Sequence, residues 1–189
     1  MKKNILTTLL AVVLYFLCLG IGVVLGHLVD STGNMFYAPA FSALVGGSVY
    51  MFLLVKVPRF GAISTLGLFM ALFFLASKHG VGAFLPAIAC GLAADATARL
   101  GHYQDKIKNL FSFLVFAFST SGPILLMWIN PASYEAALLA RGKSQEYIDR
   151  IMVAPELDKI FLFAASILLC ALIGALLGQV ISKKFTHKI

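Results

Sequence analysis

Histidine is the residue type in this sequence best suited to binding a metal-containing ligand, because an imidazole nitrogen is a common axial ligand of haem iron. The chain contains four histidines. His27 ends the first apolar stretch and His79 lies between the third and fourth, whereas His102 and His187 fall in cation-rich segments. Three nearby side chains could supply a second ligand or a wall for a flat macrocycle: Met35, Tyr37 and Tyr134. This pattern favours haem or a related tetrapyrrole as a bound ligand.

Catalytic and nucleotide-binding motifs are incomplete. The segment RGKS at 141–144 resembles the end of a phosphate-binding loop, but Ala137 stands where that loop requires its first glycine. Asp95 and Asp105 are too few for two-metal chemistry, and we expect Asp95 to pair with Arg99 one turn later. We find no convincing Ser, His and Asp triad, so the sequence predicts a protein that is not an enzyme and holds no structural metal or intrinsic cofactor.

The elements that must position these side chains are membrane helices. The chain is 60% hydrophobic and 12% charged, with a mean hydropathy of +0.94. Such values indicate an integral membrane protein, and apolar runs of about 20 residues are long enough to cross the bilayer as helices. We predict one all-α domain over residues 1–189, a bundle of six transmembrane helices. The predicted spans are 5–26, 36–55, 61–77, 80–98, 109–129 and 159–182.

The cations predict the orientation of this bundle. Of the fifteen Lys and Arg residues, those near the two termini and in the second and fourth connections share one side: Lys2, Lys3, Lys56, Arg59, Arg99, Lys106, Lys108, Lys183, Lys184 and Lys188. The positive-inside rule then places both termini in the cytoplasm. The net charge of +7 is explained by this topology and by anionic lipid rather than by nucleic-acid binding.

Prolines indicate a pocket on the outer side. Pro39, Pro86 and Pro123 fall toward the outer ends of three predicted helices, and carbonyls freed by a proline must face protein or a polar cavity. Further residues suited to a small-molecule pocket lie close to them in the sequence: Ser119, Trp128 and Asn130. A vitamin precursor stacked on Trp128 and bonded to Asn130 competes with haem as the ligand. The alternative is that these prolines only start or kink spans and that interfacial aromatic residues only anchor headgroups.

The outer loop, 131–158, contains one predicted short helix. Ser144 can cap it, and its apolar residues Tyr147, Ile148 and Ile151 share one face. Such a helix is either a lid over the pocket or an interfacial helix that fills space.

Three segments carry a resemblance to a known family: AFSALVGGSVYMFLLVKVPRFGAIS at 40–64, GLAAD at 91–95 and GKSQEYIDRI at 142–151. They resemble the Trep_Strep group of bacterial integral membrane proteins, which is similar to the substrate-binding S components of energy-coupling factor (ECF) transporters. The resemblance implies a multi-pass protein of the bacterial cell membrane, with six helices and both termini inside, that captures a micronutrient from outside. It also implies a transmembrane coupling subunit and two cytoplasmic ATPases as partners, and haem among the cargoes of the group.

Small residues are candidates for docking the coupling subunit. S components usually present small residues every four positions along helix 1, which Thr7 and Ala11 match and Tyr15 does not. Gly174 and Gly178 form a G-x-x-x-G pair in the last helix that suits close contact with another helix. Three function classes therefore follow from the sequence. They are a transporter subunit that binds haem or a vitamin precursor, a stand-alone carrier or channel, and a structural or biogenesis protein without a ligand.

Overall fold

The structure of the protein is a computed structural model that describes residues 2–80 and 82–186, with side chains to residue 183. The described residues form helices and no strand. The α-helices are α1 Lys2–Val29, α2 Ala38–Lys56, α3 Ala62–Ala76, α4 Leu85–Leu100, α5 Lys106–Ala117, α6 Gly122–Ile129, α7 Pro131–Ala140, α8 Gln145–Ile151 and α9 Leu157–Thr186, with a 3-10 turn at Phe118–Thr120. The Lys184 side chain, His187 and Lys188, which the sequence assigned to the cytoplasm, lie outside the described part.

The long helices run between two ends of a bundle. We call the end that contains the start of α1 and the end of α9 the terminal end. The loop-rich end contains residues 30–37, the α3–α4 connection and residues 130–156, which include α7 and α8. The predicted outer loop, 131–158, is therefore mostly helical. Ser144 caps α8 as predicted, since its hydroxyl accepts a hydrogen bond from the Tyr147 amide at 3.3 Å.

Three described helices are long and apolar enough to span a membrane: α1, α2 and α9. A fourth candidate is the bent pair formed by α5, its 3-10 turn and α6, which changes direction by 59°. The other two predicted spans are shorter helices. α3 has 15 residues and α4 has 16, and 15 residues extend only about 22 Å at the α-helical rise. The described chain is thus an all-helical membrane protein with three to four candidate spans.

The prolines have different roles from one another. Pro39 and Pro86 lie in the first turns of α2 and α4, where a helix needs no donor from the proline nitrogen, so they start helices rather than break them. Pro123 also lies in a first turn, that of α6. This helix follows α5 along the chain but is bent away from it by 59°. Of the three predicted breaks, only the one at Pro123 interrupts a span.

Glycines let α2 lie between α1 and α9. A Cβ atom on Gly47 would come within 2.3 Å of the Gly174 carbonyl group of α9, and one on Gly178 within 2.5 Å of the Gly47 carbonyl oxygen. On the other side of α2, a Cβ on Gly46 would lie 2.7 Å from the ring of Tyr15 in α1. Side chains would not fit at these positions, so backbone packs directly against backbone and ring.

The prediction that Asp95 pairs with Arg99 is wrong. The Asp95 carboxylate is fully buried and accepts hydrogen bonds from the Gly61 and Ser64 amides, at 2.8 and 2.9 Å. It also accepts from the Tyr103 hydroxyl at 3.0 Å. These amides open α3 and lack partners within it, so Asp95 of α4 acts as the cap of a neighbouring helix. Arg99 instead lies over the ring of Phe60, 5.7 Å from its centroid.

We expect Gly178→Ala to lower the stability of the bundle by about 1–3 kcal/mol, as overpacking of a close contact does. Gly20→Ala is the matched control, because a Cβ on Gly20 meets no atom within 4 Å. Thermal unfolding in detergent, followed by the fluorescence of the single tryptophan, measures both variants. Equal midpoints for Gly178→Ala and the parent would contradict the packing described for α2 and α9.

Candidate functional site

A cavity of about 480 Å³ lies at the loop-rich end. Its wall is built by α1, the first turn of α2, the end of α3, the 3-10 turn, and the helices α6, α7 and α8. These elements meet there because α5 and α6 are bent at the 3-10 turn, which brings Thr120, Pro123 and Ile124 onto the wall. The volume falls within the range of small-molecule sites.

Aromatic rings form much of the apolar wall. Phe16 of α1 packs edge to face against Phe73 of α3, with ring centroids 5.3 Å apart. Phe74 and the exposed side chain of Met35 also line the cavity. Such a surface suits a flat, largely apolar body, because rings offer a large contact area at little cost in conformational entropy.

His79 lines the cavity with one ring nitrogen already bound. Its Nδ1 lies 2.6 Å from the Ser77 hydroxyl oxygen, and that hydroxyl donates its only proton to the Phe73 carbonyl. The hydroxyl must therefore accept from His79, which places the imidazole proton on Nδ1 and leaves a lone pair on Nε2. Burial, together with the positive charge of Arg141, lowers the pKa of His79 to about 4. His79 is thus neutral at ordinary pH.

The cavity is lined by cations without matching acids. Arg141 and Lys143 belong to the α7–α8 connection, and no Asp or Glu occurs among the described residues that line the cavity. The Lys143 ammonium lies over the Tyr147 ring, 4.6 Å from its centroid. Because neutral His79 adds no charge, the wall is cationic, which favours a ligand with an anionic group.

Helix α8 covers part of the cavity and is held by long-range contacts. The Tyr147 hydroxyl donates to the Gly33 carbonyl of the α1–α2 connection at 3.2 Å. Beyond the helix, the Trp128 indole donates to the Val153 carbonyl at 3.1 Å. Ile148 and Ile151 are buried beneath α8. These contacts join three separate segments over one cavity.

The predicted ligand-binding residues divide into two groups. His79, Met35 and Tyr134 line the cavity, and burial is the main cause that raises the pKa of the Tyr134 phenol. The others have positions elsewhere: His27, Tyr37, Ser119, Trp128 and Asn130.

The residues of the second group lie outside the cavity, and most of them make packing or capping contacts there. His27 is exposed near the end of α1, and Tyr37 precedes α2 and packs on Phe36. Trp128 packs on Phe36 and Phe163, and the Asn130 side chain caps α7 by accepting from the Ser133 amide at 3.1 Å. Ser119 is fully buried, and its hydroxyl has no hydrogen-bond partner among the described residues.

Sequence reasoning missed the two cations of the cavity. Arg141 and Lys143 belong to the RGKS segment, which carries an incomplete nucleotide-binding motif and part of the family resemblance, and neither feature indicates a cavity wall. Their proximity to α8, a short amphipathic helix, was the signal available in the sequence. The aromatic residues Phe16 and Phe73 carried no such signal, because apolar residues occur on every face of these helices.

Three of the four proposed docking residues are already used inside the chain. Gly174 and Gly178 contact the backbone of α2, and Ala11 is buried within the bundle. Thr7 is partly exposed, and its hydroxyl donates to the Lys3 carbonyl of the same helix at 2.9 Å. Tyr15, which departs from the small-residue pattern, packs on a glycine of α2. In this contact between α1 and α2, the small residue is Gly46 of α2 and the large one is Tyr15 of α1.

The protonation of His79 is open to direct measurement. We expect its imidazole to gain a proton only near pH 4, so that it contributes stability above about pH 6.5 that is lost as the pH falls toward 4. Histidine-labelled protein, studied by carbon-detected NMR with His79→Gln to assign the signal, measures the midpoint. A midpoint at the ordinary value of 6.5 would contradict the buried, neutral state.

One of three comparisons with known proteins supports the membrane character of the fold. A search of curated proteins and a search of solved structures each returned no match. The family model described as "Hypothetical bacterial integral membrane protein (Trep_Strep)" matches residues 2–188. Because the match covers nearly the whole chain, the protein belongs to the Trep_Strep family of bacterial integral membrane proteins.

Proposed function

We propose that this protein is the substrate-binding subunit of an importer of the ECF type, and that it captures an amphipathic, anionic micronutrient. The observation that carries this proposal is the cavity at the loop-rich end, which combines an aromatic wall with two cations and a neutral histidine. This combination suits ligand binding, because the Ser77 hydroxyl that contacts His79 already donates its proton to the Phe73 carbonyl and Ser77 does not line the cavity. The resemblance of the sequence to S components supports the same function.

The chemistry of the wall describes the ligand. Phe16, Phe73 and Phe74 suit a flat apolar body, whereas Arg141 and Lys143 suit carboxylate groups at its edge. Haem has both features, since it is a flat macrocycle with two propionates. Its iron adds a third, because it takes an imidazole nitrogen as axial ligand. The lone pair on His79 Nε2 meets this requirement, so we propose haem or a related tetrapyrrole as the transported substrate.

The direction of capture follows from the charges at the bundle ends. We propose six membrane-embedded helical segments with both termini in the cytoplasm, since the segments of the terminal end contain most of the cations. The cavity then opens to the outside of the bacterial cytoplasmic membrane. α3 and α4 are shorter than a full crossing, and both contact the 3-10 turn between α5 and α6.

Concentrative uptake needs an energy source besides this chain. We propose that a transmembrane coupling subunit and two cytoplasmic ATPases provide it, as the resemblance to S components implies. Because Ala11, Gly174 and Gly178 are packed inside the bundle, the docking surface must use other residues. The outward face of α1, with exposed Leu6, Leu10 and further apolar residues, is available for this purpose.

Haem binding can be tested on the purified protein. We expect added haemin to give a saturable Soret shift, and we expect His79→Ala to abolish it while His27→Ala, which alters an exposed histidine away from the cavity, preserves it. The shift should stay constant between pH 8 and about pH 5.5, because a pKa of about 4 keeps Nε2 unprotonated there. No saturable shift in the parent would end the haem proposal.

A variant of one cavity cation and a matched control test whether the cavity binds the anionic group of the ligand. We expect Arg141→Gln to weaken binding of haemin roughly tenfold, since it removes a charged partner of a propionate. Lys159→Gln is the control, because the Lys159 side chain is 44% exposed near the start of α9, where its ammonium lies 3.7 Å from Asp158, and it does not line the cavity. Equal losses in the two variants would mean that general surface charge, rather than the cavity, holds the anion.

The orientation predicts which cysteines an external reagent reaches. In a background without the native cysteines, we expect Ser144→Cys to react with an impermeant maleimide added to intact cells, because Ser144 is exposed at the loop-rich end. Lys184→Cys, near the end of α9, should react only after the cells are opened. The reverse sidedness would place the cavity on the cytoplasmic side and exclude capture from outside.

A further inference from the structure

A second cavity, of about 630 Å³, lies at the opposite end of the bundle. It is formed by the last turns of α2, the α4–α5 connection, the start of α5 and the end of α9. α2 contributes Pro39 to the first cavity and Leu54 to the second, and these residues are about 22 Å apart along the helix. The two cavities are therefore separate sites.

One residue that lines this second cavity has an unpaired hydrogen-bond acceptor in its side chain. Asn109 lines it and is only 7% exposed. Its Nδ2 donates to the Tyr103 carbonyl at 3.0 Å, and because a carbonyl can only accept, this bond settles which amide atom is nitrogen. The remaining atom, Oδ1, is buried without a hydrogen-bond partner among the described residues. A buried acceptor of this kind favours a ligand that brings a donor.

The same wall is cationic. Lys106 and Lys183 line the cavity, and no Asp or Glu is found among its described lining residues. Gln179 of α9 donates to the Lys106 carbonyl at 2.8 Å, which joins the start of α5 to α9 and so holds the two lysine-bearing helices together. Two exposed lysines at one cavity favour an anion, and the unpaired acceptor of Asn109 favours a hydrogen-bond donor. A phosphate ester with a neighbouring hydroxyl satisfies both.

We propose that this cavity binds the headgroup of an anionic polyol phospholipid of the phosphatidylglycerol class. The phosphate pairs with Lys106 and Lys183, and a glycerol hydroxyl donates to Asn109 Oδ1. Basic pockets between membrane helices are a known setting for anionic headgroups. This inference does not depend on the substrate of the first cavity.

The surroundings of the cavity favour a lipid over a soluble polyol phosphate. Its α2 wall is apolar and reaches the partly exposed Val55. Exposed apolar residues flank the cationic ones: Ile107 follows Lys106, and Val180 and Ile181 precede Lys183. A headgroup that enters between these residues can leave its acyl chains on the apolar outer surface. The cavity also lies where long apolar helices end, which is the level of the headgroup phosphates.

The test compares lipids on the full-length parent protein. Native mass spectrometry of protein released from phosphatidylcholine nanodiscs, with added phosphatidylglycerol or phosphatidylmethanol, measures selective binding. The two additives carry the same charge, but only phosphatidylglycerol has hydroxyl donors. We expect it to bind severalfold more tightly, and equal binding of the two would overturn the role assigned to Asn109. No preference for phosphatidylglycerol over phosphatidylcholine would overturn the site.

Variants locate the binding within the chain. We expect Lys106→Gln and Lys183→Gln each to weaken phosphatidylglycerol binding about fivefold. Lys108→Gln is the matched control, since Lys108 lies on the same helix but does not line the cavity. An equal loss in the control would show binding by general surface charge and overturn the proposal. Complete competition by soluble glycerol 3-phosphate would show that the ligand is a free polyol phosphate and not a lipid.

Discussion

The rest of the structure depends on the close contact of α2 with α1 and α9. In a bilayer, helices gain nothing from removing apolar surface from water, so they associate through close packing and hydrogen bonds. Gly46 and Gly47 are consecutive and therefore face different directions on α2. Gly46 receives the ring of Tyr15 from α1, and Gly47 receives the backbone of α9. Two adjacent glycines thus allow one helix to be the centre of the bundle.

This central position of α2 explains why both cavities touch it. The first turn of α2 lies beside Gly26 of α1, where an added Cβ would come 3.0 Å from the Ala38 nitrogen. Ala38 and Pro39 are consequently held on the wall of the first cavity, and the last turns of the helix reach the second. A helix that was free to shift along its neighbours would change the shape of both sites together.

Polar groups occur where the backbone or a neighbouring helix requires them. Asp95 caps α3 from α4. The Ser112 hydroxyl of α5 donates to the Ala94 carbonyl and therefore accepts from the Tyr50 hydroxyl, which lies at 2.6 Å. These links join α2, α3, α4 and α5 away from water, where each unpaired group would be costly. The unpaired atoms that remain among the described residues are therefore informative, and one of them is Oδ1 of Asn109, a residue that lines a cavity.

The sequence by itself determined the membrane class, the approximate helix positions and the cap at Ser144, because these follow from local hydropathy, length and hydrogen bonding within a few residues. It also located a break at Pro123, and it left open whether Pro39 and Pro86 break helices or start them. Only the tertiary structure decided that His79, and not His27, lines a cavity. The reason is that the position of a side chain relative to a cavity depends on contacts between residues distant in sequence.

The same dependence on contacts between distant residues explains the other differences between the sequence predictions and the structure. RGKS was not recognised as a source of cavity cations, since Arg141 and His79 line one cavity only because the α7–α8 connection lies near the end of α3 in the folded chain. Asp95 has an arginine one turn away in the sequence, yet it bonds the amides of a different helix, because those donors lack partners within their own helix. The spacing of Gly174 and Gly178 in the sequence predicts close helix packing. Which helix they pack against was decided by the assembled bundle, where the glycines of α2 leave room for them.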